Sequence, residues 1–125
     1  MSTQIISVLT KKEDIRKIID KIKVYSFEEL ERHPHFEFSI LEKLTDLNKI
    51  KETFSKFELI KSIEIRENDK KQRHYSLNYE LTDGTYVVIA FLLEDKPIII
   101  NGFHVSRNYR NFEKSLRKNY SEKLI

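Results

Sequence analysis

The sequence has no cysteine and only two glycines and two prolines among its 125 residues. Without cysteine, disulfides, thiolate metal sites and cysteine nucleophiles are excluded. The two glycines, Gly84 and Gly102, do not form a phosphate-binding loop, and no serine nucleophile-elbow motif is present. Metal ligation is left to carboxylates and four histidines. The sequence therefore predicts no cofactor and no metal site.

Long apolar stretches are also missing. The longest apolar run, Tyr86 to Leu93, is far shorter than the roughly 20 residues that a membrane-spanning helix needs. The N-terminus lacks the basic start, apolar stretch and cleavage site of a signal peptide. These features predict a cytoplasmic protein that makes no contact with a membrane.

Charge is unevenly distributed along the chain. Residues 1–95 carry 16 basic and 18 acidic side chains, whereas residues 96–125 carry seven basic and two acidic ones. A basic tail on a nearly neutral body favours an acidic partner, such as a nucleic acid or an acidic protein. The alternative is a basic helix that serves only solubility.

The first half of the chain has the spacing of amphipathic helices. Ser26 and Glu29 form a capping-box pattern, which predicts a short second helix that ends near His33, before Pro34. In the first helix, over residues 12–23, four apolar residues recur at helical intervals: Ile15, Ile18, Ile19 and Ile22. Two further helices are predicted, over residues 38–44 and from Thr45 or Asp46 to Phe57.

After Phe57 the apolar period changes from about 3.6 to 2, as in strands. The alternation is strict in residues 74–81, and Thr82-Asp83-Gly84 predicts a hairpin turn with a positive φ at glycine. Residues 85–93 have the apolar character of a central strand, and another strand is predicted from Pro97 to Val105. Short links between these strands predict an antiparallel meander.

The final segment, residues 107–120, is predicted to be a helix with two different faces. Its apolar face is formed by Tyr109, Phe112, Leu116 and Tyr120, and its basic face by Arg107, Arg110, Lys114, Arg117 and Lys118. We expect the apolar face to dock on the sheet. We expect RNA to contact Arg110, Lys114, Arg117 and Lys118. The whole chain, residues 1–125, is thus predicted to be one α+β domain with N-terminal helices, a curled antiparallel sheet of about four strands and a C-terminal basic amphipathic helix.

A polar edge of this sheet is the candidate site. One face of the strand over residues 74–80 carries His74, Ser76, Asn78 and Glu80, and Glu64 and Arg66 are expected on the neighbouring strand. Asn101, His104 and Arg107 follow near the end of the last strand. Metal-independent RNA cleavage requires a base, a cation and an acid, and these residue types supply all three. The alternative is that this polar face is simply the solvent-exposed side of the sheet.

The order of elements and several segments of the chain resemble the compact ribonuclease toxins of the RelE and BrnT superfamily. The similar segments are residues 35–39, Tyr75-Ser76-Leu77-Asn78-Tyr79-Glu80-Leu81, Gly84-Thr85-Tyr86-Val87-Val88-Ile89-Ala90, and residues 97–105. The resemblance covers residues 35–120 and leaves residues 1–33 as an additional helical extension. It implies an mRNA-cleaving endoribonuclease that a small antitoxin protein neutralises. The catalytic residues that it implies are Arg66, Arg73, His74, His104 and Arg107.

Two other functions remain open from the sequence. The protein is alternatively a non-enzymatic interaction or nucleic-acid-binding module, which self-associates as a homodimer through Ile15, Ile18, Ile19 and Ile22. A third interpretation is an enzyme that acts on a small molecule in an aromatic-lined cavity on the curled sheet.

Overall fold

Helices and strands are mixed along the chain, and the computed structural model describes residues 3–124. The strands are β1 (Thr3–Leu9), β2 (Glu31–Arg32), β3 (Ile60–Asn68), β4 (Arg73–Glu80), β5 (Tyr86–Leu93) and β6 (Pro97–Val105). The α-helices are α1 (Lys12–Ile22), α2 (Pro34–Leu41), α3 (Leu47–Phe54) and α4 (Tyr109–Asn119). Single turns of 3-10 helix cover Phe27–Glu29, Phe57–Leu59 and Ser121–Lys123. The predicted α+β class is confirmed.

The six strands form one mixed sheet in the order β1-β3-β4-β5-β6-β2. Strands β3 to β6 are the predicted antiparallel meander. Gly84 has a φ of 89° in the turn between β4 and β5, as expected for this hairpin. The expected number of about four strands is too low, because β1 pairs antiparallel with β3 and the short β2 pairs parallel with β6.

The N-terminal segment differs from its prediction. Residues 1–33 were expected to be a helical extension, but Thr3–Leu9 forms the edge strand β1 of the sheet. Residues 1 and 2 lie outside the described range. The sequence of Thr3–Leu9 lacks strict apolar alternation, and in the structure a register shift between Ile5 and Ser7 interrupts its pairing with β3.

Capping interactions explain where the short helices begin. The capping box of Ser26 and Glu29 is present, but it starts a single 3-10 turn rather than an α-helix. Pro34 was expected to end a helix; instead it occupies the first turn of α2, where its missing N–H has no cost. Of the two predicted starting residues of the fourth helix, Thr45 and Asp46, it is Asp46 that caps α3, through a hydrogen bond from the backbone N–H of Lys49.

The main hydrophobic core lies between one face of the sheet and helices α1 and α3. Its helical members include Ile15, Ile18, Ile22 and Phe54, all buried, while Ile19 is partly buried against them. The self-association surface predicted on the four isoleucines is therefore wrong, because these side chains pack inside the protein. The homodimer itself stays a prediction.

Helix α4 covers part of the opposite face of the sheet. Leu116 packs with Ile5 and Val8 of β1, and Tyr109 packs with Tyr86 and Val88 of β5. The predicted docking of this helix through its apolar face is confirmed. Within residues 3–124, no helix is long and apolar enough to cross a membrane. The cytoplasmic location stays a prediction.

Candidate functional site

A cavity of about 570 Å³ lies on the face of the sheet that α4 partly covers. The pairing register places Glu64 opposite Ser76, Ser76 opposite Ala90, and Ala90 opposite Asn101, in one row across four strands. The cavity is lined by Thr3, His33, His35, Glu64, Arg66, His74, Ser76, Tyr86, Val88, Ala90, Ile100, Asn101, Phe103 and Phe112. The polar strand face is therefore not simply solvent-exposed, and that alternative is wrong for His74, Ser76 and Asn78, which are buried.

Glu64 and Arg66 form an ion pair at the floor of the cavity. Nη2 of Arg66 donates a hydrogen bond of 2.6 Å to Oε1 of Glu64. The Glu64 side chain is 4% exposed, whereas that of Arg66 is 33% exposed. The carboxylate is thus held in a buried position by a guanidinium that still reaches the cavity.

A buried hydrogen-bond network connects this carboxylate with α4. Nδ2 of Asn78 donates to Oε2 of Glu64 and to Oγ of Ser62, at 3.0 Å each. The Ser62 hydroxyl lies 2.8 Å from the hydroxyl of Tyr109. Oδ1 of Asn78 is buried and has no hydrogen-bond partner among the described residues. The network fixes both the position of Glu64 and the docking of α4.

His74 and Ser76 line the cavity although they are almost completely buried, with 8% and 7% exposure. Within residues 3–124, neither side chain makes a hydrogen bond, and their polar atoms are not among the fully buried ones. Burial lowers the pKa of His74, and the neighbouring side chains of His33 and Arg66 lower it further. His74 is therefore neutral at pH 7. In a neutral imidazole ring one nitrogen can accept a proton and the other can donate one.

Two more histidines lie at the end of the cavity near α2. His33 is the N-terminal cap of α2, and its Nδ1 accepts a 3.0 Å hydrogen bond from the backbone N–H of His35. This bond fixes the neutral ring of His33 as the tautomer with hydrogen on Nε2. In the described part of the chain, no group of three or more His, Asp or Glu side chains is arranged to hold a metal ion.

Aromatic and aliphatic side chains form the walls of the cavity. The rings of Tyr86 and Phe112 are stacked, with centroids 4.7 Å apart and planes at 16°. Phe103 is 38% exposed at the cavity wall. Burial raises the pKa of Tyr86 and the charge of Glu64 raises it further, while the charge of Arg107 lowers it. The cavity thus combines a polar floor with apolar walls.

The structure brings together only part of the catalytic set that the resemblance implies. Arg66 and His74 are paired across β3 and β4 and both line the cavity. Arg73 precedes His74 in β4, and His104 follows the lining residue Phe103 in β6, so both point to the other face of the sheet. Arg107 is exposed in the link before α4.

The residues outside the cavity have other partners. Nε2 of His104 lies 2.9 Å from the hydroxyl of Thr85, which hydrogen-bonds to Asp83 at 2.6 Å. These bonds from Thr85 hold the pKa of Asp83 below its ordinary value. Arg73 contacts Glu67 at 3.9 Å. In this structure His104 stabilises the hairpin between β4 and β5.

The basic face of α4 is exposed as predicted. Arg110 pairs with Glu80 at 3.7 Å and Arg117 pairs with Glu113 at 3.6 Å, and both arginines remain more than half exposed. Lys114 and Lys118 are also exposed. The four predicted RNA-binding side chains thus lie on one accessible helix face.

Sequence reasoning identified the floor of the site but not its walls. Glu64, Arg66, His74 and Ser76 were grouped correctly from the two-residue period of β3 and β4. The sequence places His33 only near the end of a helix and Phe112 only on the apolar face by which the last helix docks. No feature of the local sequence identifies these residues as part of the cavity. The segments that carry them are distant in sequence from the strands of the floor, and only folding brings them together.

Comparisons with protein-family models, with curated proteins and with solved structures find no match to this chain. The likeness to the RelE and BrnT toxins therefore stays a prediction. The geometry of the cavity is what indicates a function for this protein.

Proposed function

We propose that the cavity on the polar face of the sheet binds a small organic molecule and performs acid–base chemistry on it. The observation that carries this proposal is the pair of mostly buried residues, His74 and Ser76, that line the cavity and make no side-chain hydrogen bond within residues 3–124. Polar groups that face a cavity without a protein partner are available to hydrogen-bond a ligand. A volume of about 570 Å³ is in the range of ligand pockets.

The roles of the polar residues follow from their contacts. His74 is neutral at pH 7 and has no protein partner in the described range, so it is the group that exchanges a proton with the ligand. Both oxygens of Glu64 accept hydrogen bonds, from Arg66 and from Asn78. Glu64 therefore orients Arg66, and Ser76 hydrogen-bonds the ligand beside His74.

Filling the cavity tests this function. Ala90 lies in the middle of the floor, between Ser76 and Asn101, so Ala90→Leu adds three carbon atoms there and keeps every polar group. We expect ligands found by NMR screening of a small-molecule library against the wild-type protein to lose at least about tenfold in affinity. Ser115→Leu on the exposed side of α4 is the matched control and should bind as the wild type does. Equal binding by Ala90→Leu, or a screen without any ligand, would reject the proposal.

A second candidate is the metal-independent endoribonuclease suggested by the resemblance, with an antitoxin-like protein as partner. Two observations support it: the exposed cations of α4, and the positive charge of Arg107, which partly opposes the rise that burial and Glu64 cause in the pKa of the lining residue Tyr86. On this proposal Arg66 and His74 act in the cavity, while Arg110, Lys114, Arg117 and Lys118 bind phosphates. Phosphate contacts make affinity fall steeply as salt increases.

Cleavage of an end-labelled mRNA, with and without ribosomes, tests the nuclease proposal. We expect His74→Gln to abolish cleavage and His104→Gln, on the opposite face, to retain it. If His104→Gln also abolishes cleavage in a folded protein, the site is not the cavity. Intact RNA at high protein concentration would reject the nuclease and leave the small-molecule function.

A further inference from the structure

The hydrogen-bonding groups around the cavity are mostly donors. Oδ1 of Asn101 accepts a 2.9 Å hydrogen bond from the backbone N–H of Gly102, which leaves the NH₂ group of Asn101 as its free end. Nδ1 of His33 is occupied by the N–H of His35, which leaves the Nε2–H donor. The hydroxyl of Ser76, which lines the cavity, makes no hydrogen bond within residues 3–124. Strand β4, strand β6 and the N-terminal cap of α2 thus contribute one available donor each.

Among the lining residues that the structure describes, the one carboxylate, in contrast, already accepts a hydrogen bond at each of its two oxygens. Oε1 of Glu64 accepts from Arg66 and Oε2 accepts from Asn78. The guanidinium of Arg66 has five N–H donors, and its bonds to Glu64 and to Thr3 occupy two of them. A ligand that enters this site therefore meets more free donors than free acceptors.

The charges around the cavity support the same conclusion. Glu64 is the one acidic residue among the described lining residues, and the 2.6 Å contact with Arg66 neutralises it. Arg107 adds a positive charge near the hydroxyl of Tyr86. An anionic group is not repelled here, and hydrogen bonds from the donors to an anion are about twice as strong as those to a neutral acceptor.

We propose that the cavity recognises a small organic anion, in which a carboxylate or phosphate group accepts hydrogen bonds from Ser76, Asn101 and His33 and an apolar body packs against Tyr86, Phe103 and Phe112. The inference rests on the proposed small-molecule function and names its ligand class. The stacked rings of Tyr86 and Phe112 and the half-exposed Phe103 provide a wall suited to a flat or branched apolar group.

Matched pairs of probes test the ligand class. A panel of aromatic and branched aliphatic carboxylates, each with its primary amide, is titrated against the wild-type protein at pH 7.5 by ligand-observed NMR. Phenyl phosphate and its neutral counterpart phenol distinguish a phosphate from a carboxylate ligand. We expect the best anion to bind at least about tenfold tighter than its neutral counterpart. Equal binding within the pairs overturns the anion assignment while the proposed function stands; no binding by any probe overturns both.

Asn101→Asp provides the sharper variant. It keeps the oxygen that accepts from Gly102 N–H and replaces the NH₂ donor by a negatively charged oxygen, so anions should lose more than about tenfold in affinity and the neutral probes should change little. Asn48→Asp on the exposed surface of α3 has the same change in charge and should bind as the wild type does. Thermal unfolding checks that both variants are folded. If folded Asn101→Asp keeps the affinity of the wild type for anions, the proposed recognition is wrong.

Discussion

Arg66 donates a 2.6 Å hydrogen bond from Nη2 to Oε1 of Glu64, two residues earlier on the same face of β3. The carboxylate is almost fully buried, but the guanidinium is one third exposed to the cavity. A buried charge is tolerated when it is paired and hydrogen-bonded. The same contact therefore stabilises the sheet and fixes a cation at the candidate site.

Glu64→Gln should destabilise the protein by about 2 kcal/mol, because it removes the partner of Arg66 and turns an NH₂ group towards other donors. Because Arg66 is partly exposed to solvent, the loss of folding free energy should be smaller than for a fully buried ion pair. Glu67→Gln is the matched control on the same strand: its longer contacts with Lys71 and Arg73, at 3.7 and 3.9 Å, should contribute less than about 0.5 kcal/mol. Urea unfolding measures both variants. If Glu64→Gln and Glu67→Gln unfold at the same urea concentration, the ion pair of Glu64 and Arg66 does not contribute more than the surface pairs of Glu67.

Tyr109→Phe should cost about 1 kcal/mol of folding free energy, because it removes the 2.8 Å hydrogen bond between the Tyr109 and Ser62 hydroxyls at a buried position. Tyr25→Phe, at a partly buried residue of the main core, removes a hydroxyl that bonds to no described residue and should cost less. Chemical denaturation compares the two. If both changes have the same effect, the contact between α4 and the sheet does not depend on this hydrogen bond.

The stability of the protein should fall as the pH decreases from about 6.5, the ordinary pKa of histidine. Burial, with the neighbouring side chains of His33 and Arg66, lowers the pKa of His74 in the folded state, so the unfolded chain binds a proton first. The contribution of neutral His74 to the free energy of unfolding is therefore complete above pH 6.5. It is lost as the pH falls from 6.5 through the lower pKa that His74 has in the folded state. His74→Gln should reduce the loss between pH 7.5 and pH 5.5, measured by urea unfolding. An unchanged loss would show that another group is responsible.

Gly102→Ala should destabilise the protein by about 1–3 kcal/mol through overpacking. A Cβ atom at Gly102 would lie 3.1 to 3.2 Å from three side-chain atoms of Ile50 in α3. Ile50→Val removes one of these atoms, Cδ1, so Gly102→Ala should cost less in that background. A double-mutant cycle by thermal unfolding tests the coupling. If the effects of Gly102→Ala and Ile50→Val on the unfolding free energy are additive, the new methyl group does not press on Cδ1 of Ile50. Strand β6 would then have moved away from α3.

Part of the candidate site could be predicted because it depends on local periodicity. Alternation in β3 and β4 puts Glu64, Arg66, His74 and Ser76 on one face whatever covers that face. The same rule separates Arg73 and His104 from this group, since each neighbours a cavity residue in its strand. Arg73 entered the catalytic set only through the resemblance, whereas His104 was grouped with the polar edge because it lies near the end of the last strand.

The sequence by itself determined the α+β class, the meander of β3 to β6, a start of α3 at Thr45 or Asp46 and the two faces of α4, because apolar period, capping and turn residues act over a few positions. The tertiary structure decided that β1 and β2 join the sheet and that α4 and His33 enclose its polar face. Those contacts join residues far apart in the chain, and a strand of two residues carries no local signal. The environment of His74 follows from these contacts: its own strand places it on the polar face, but distant segments bury it there.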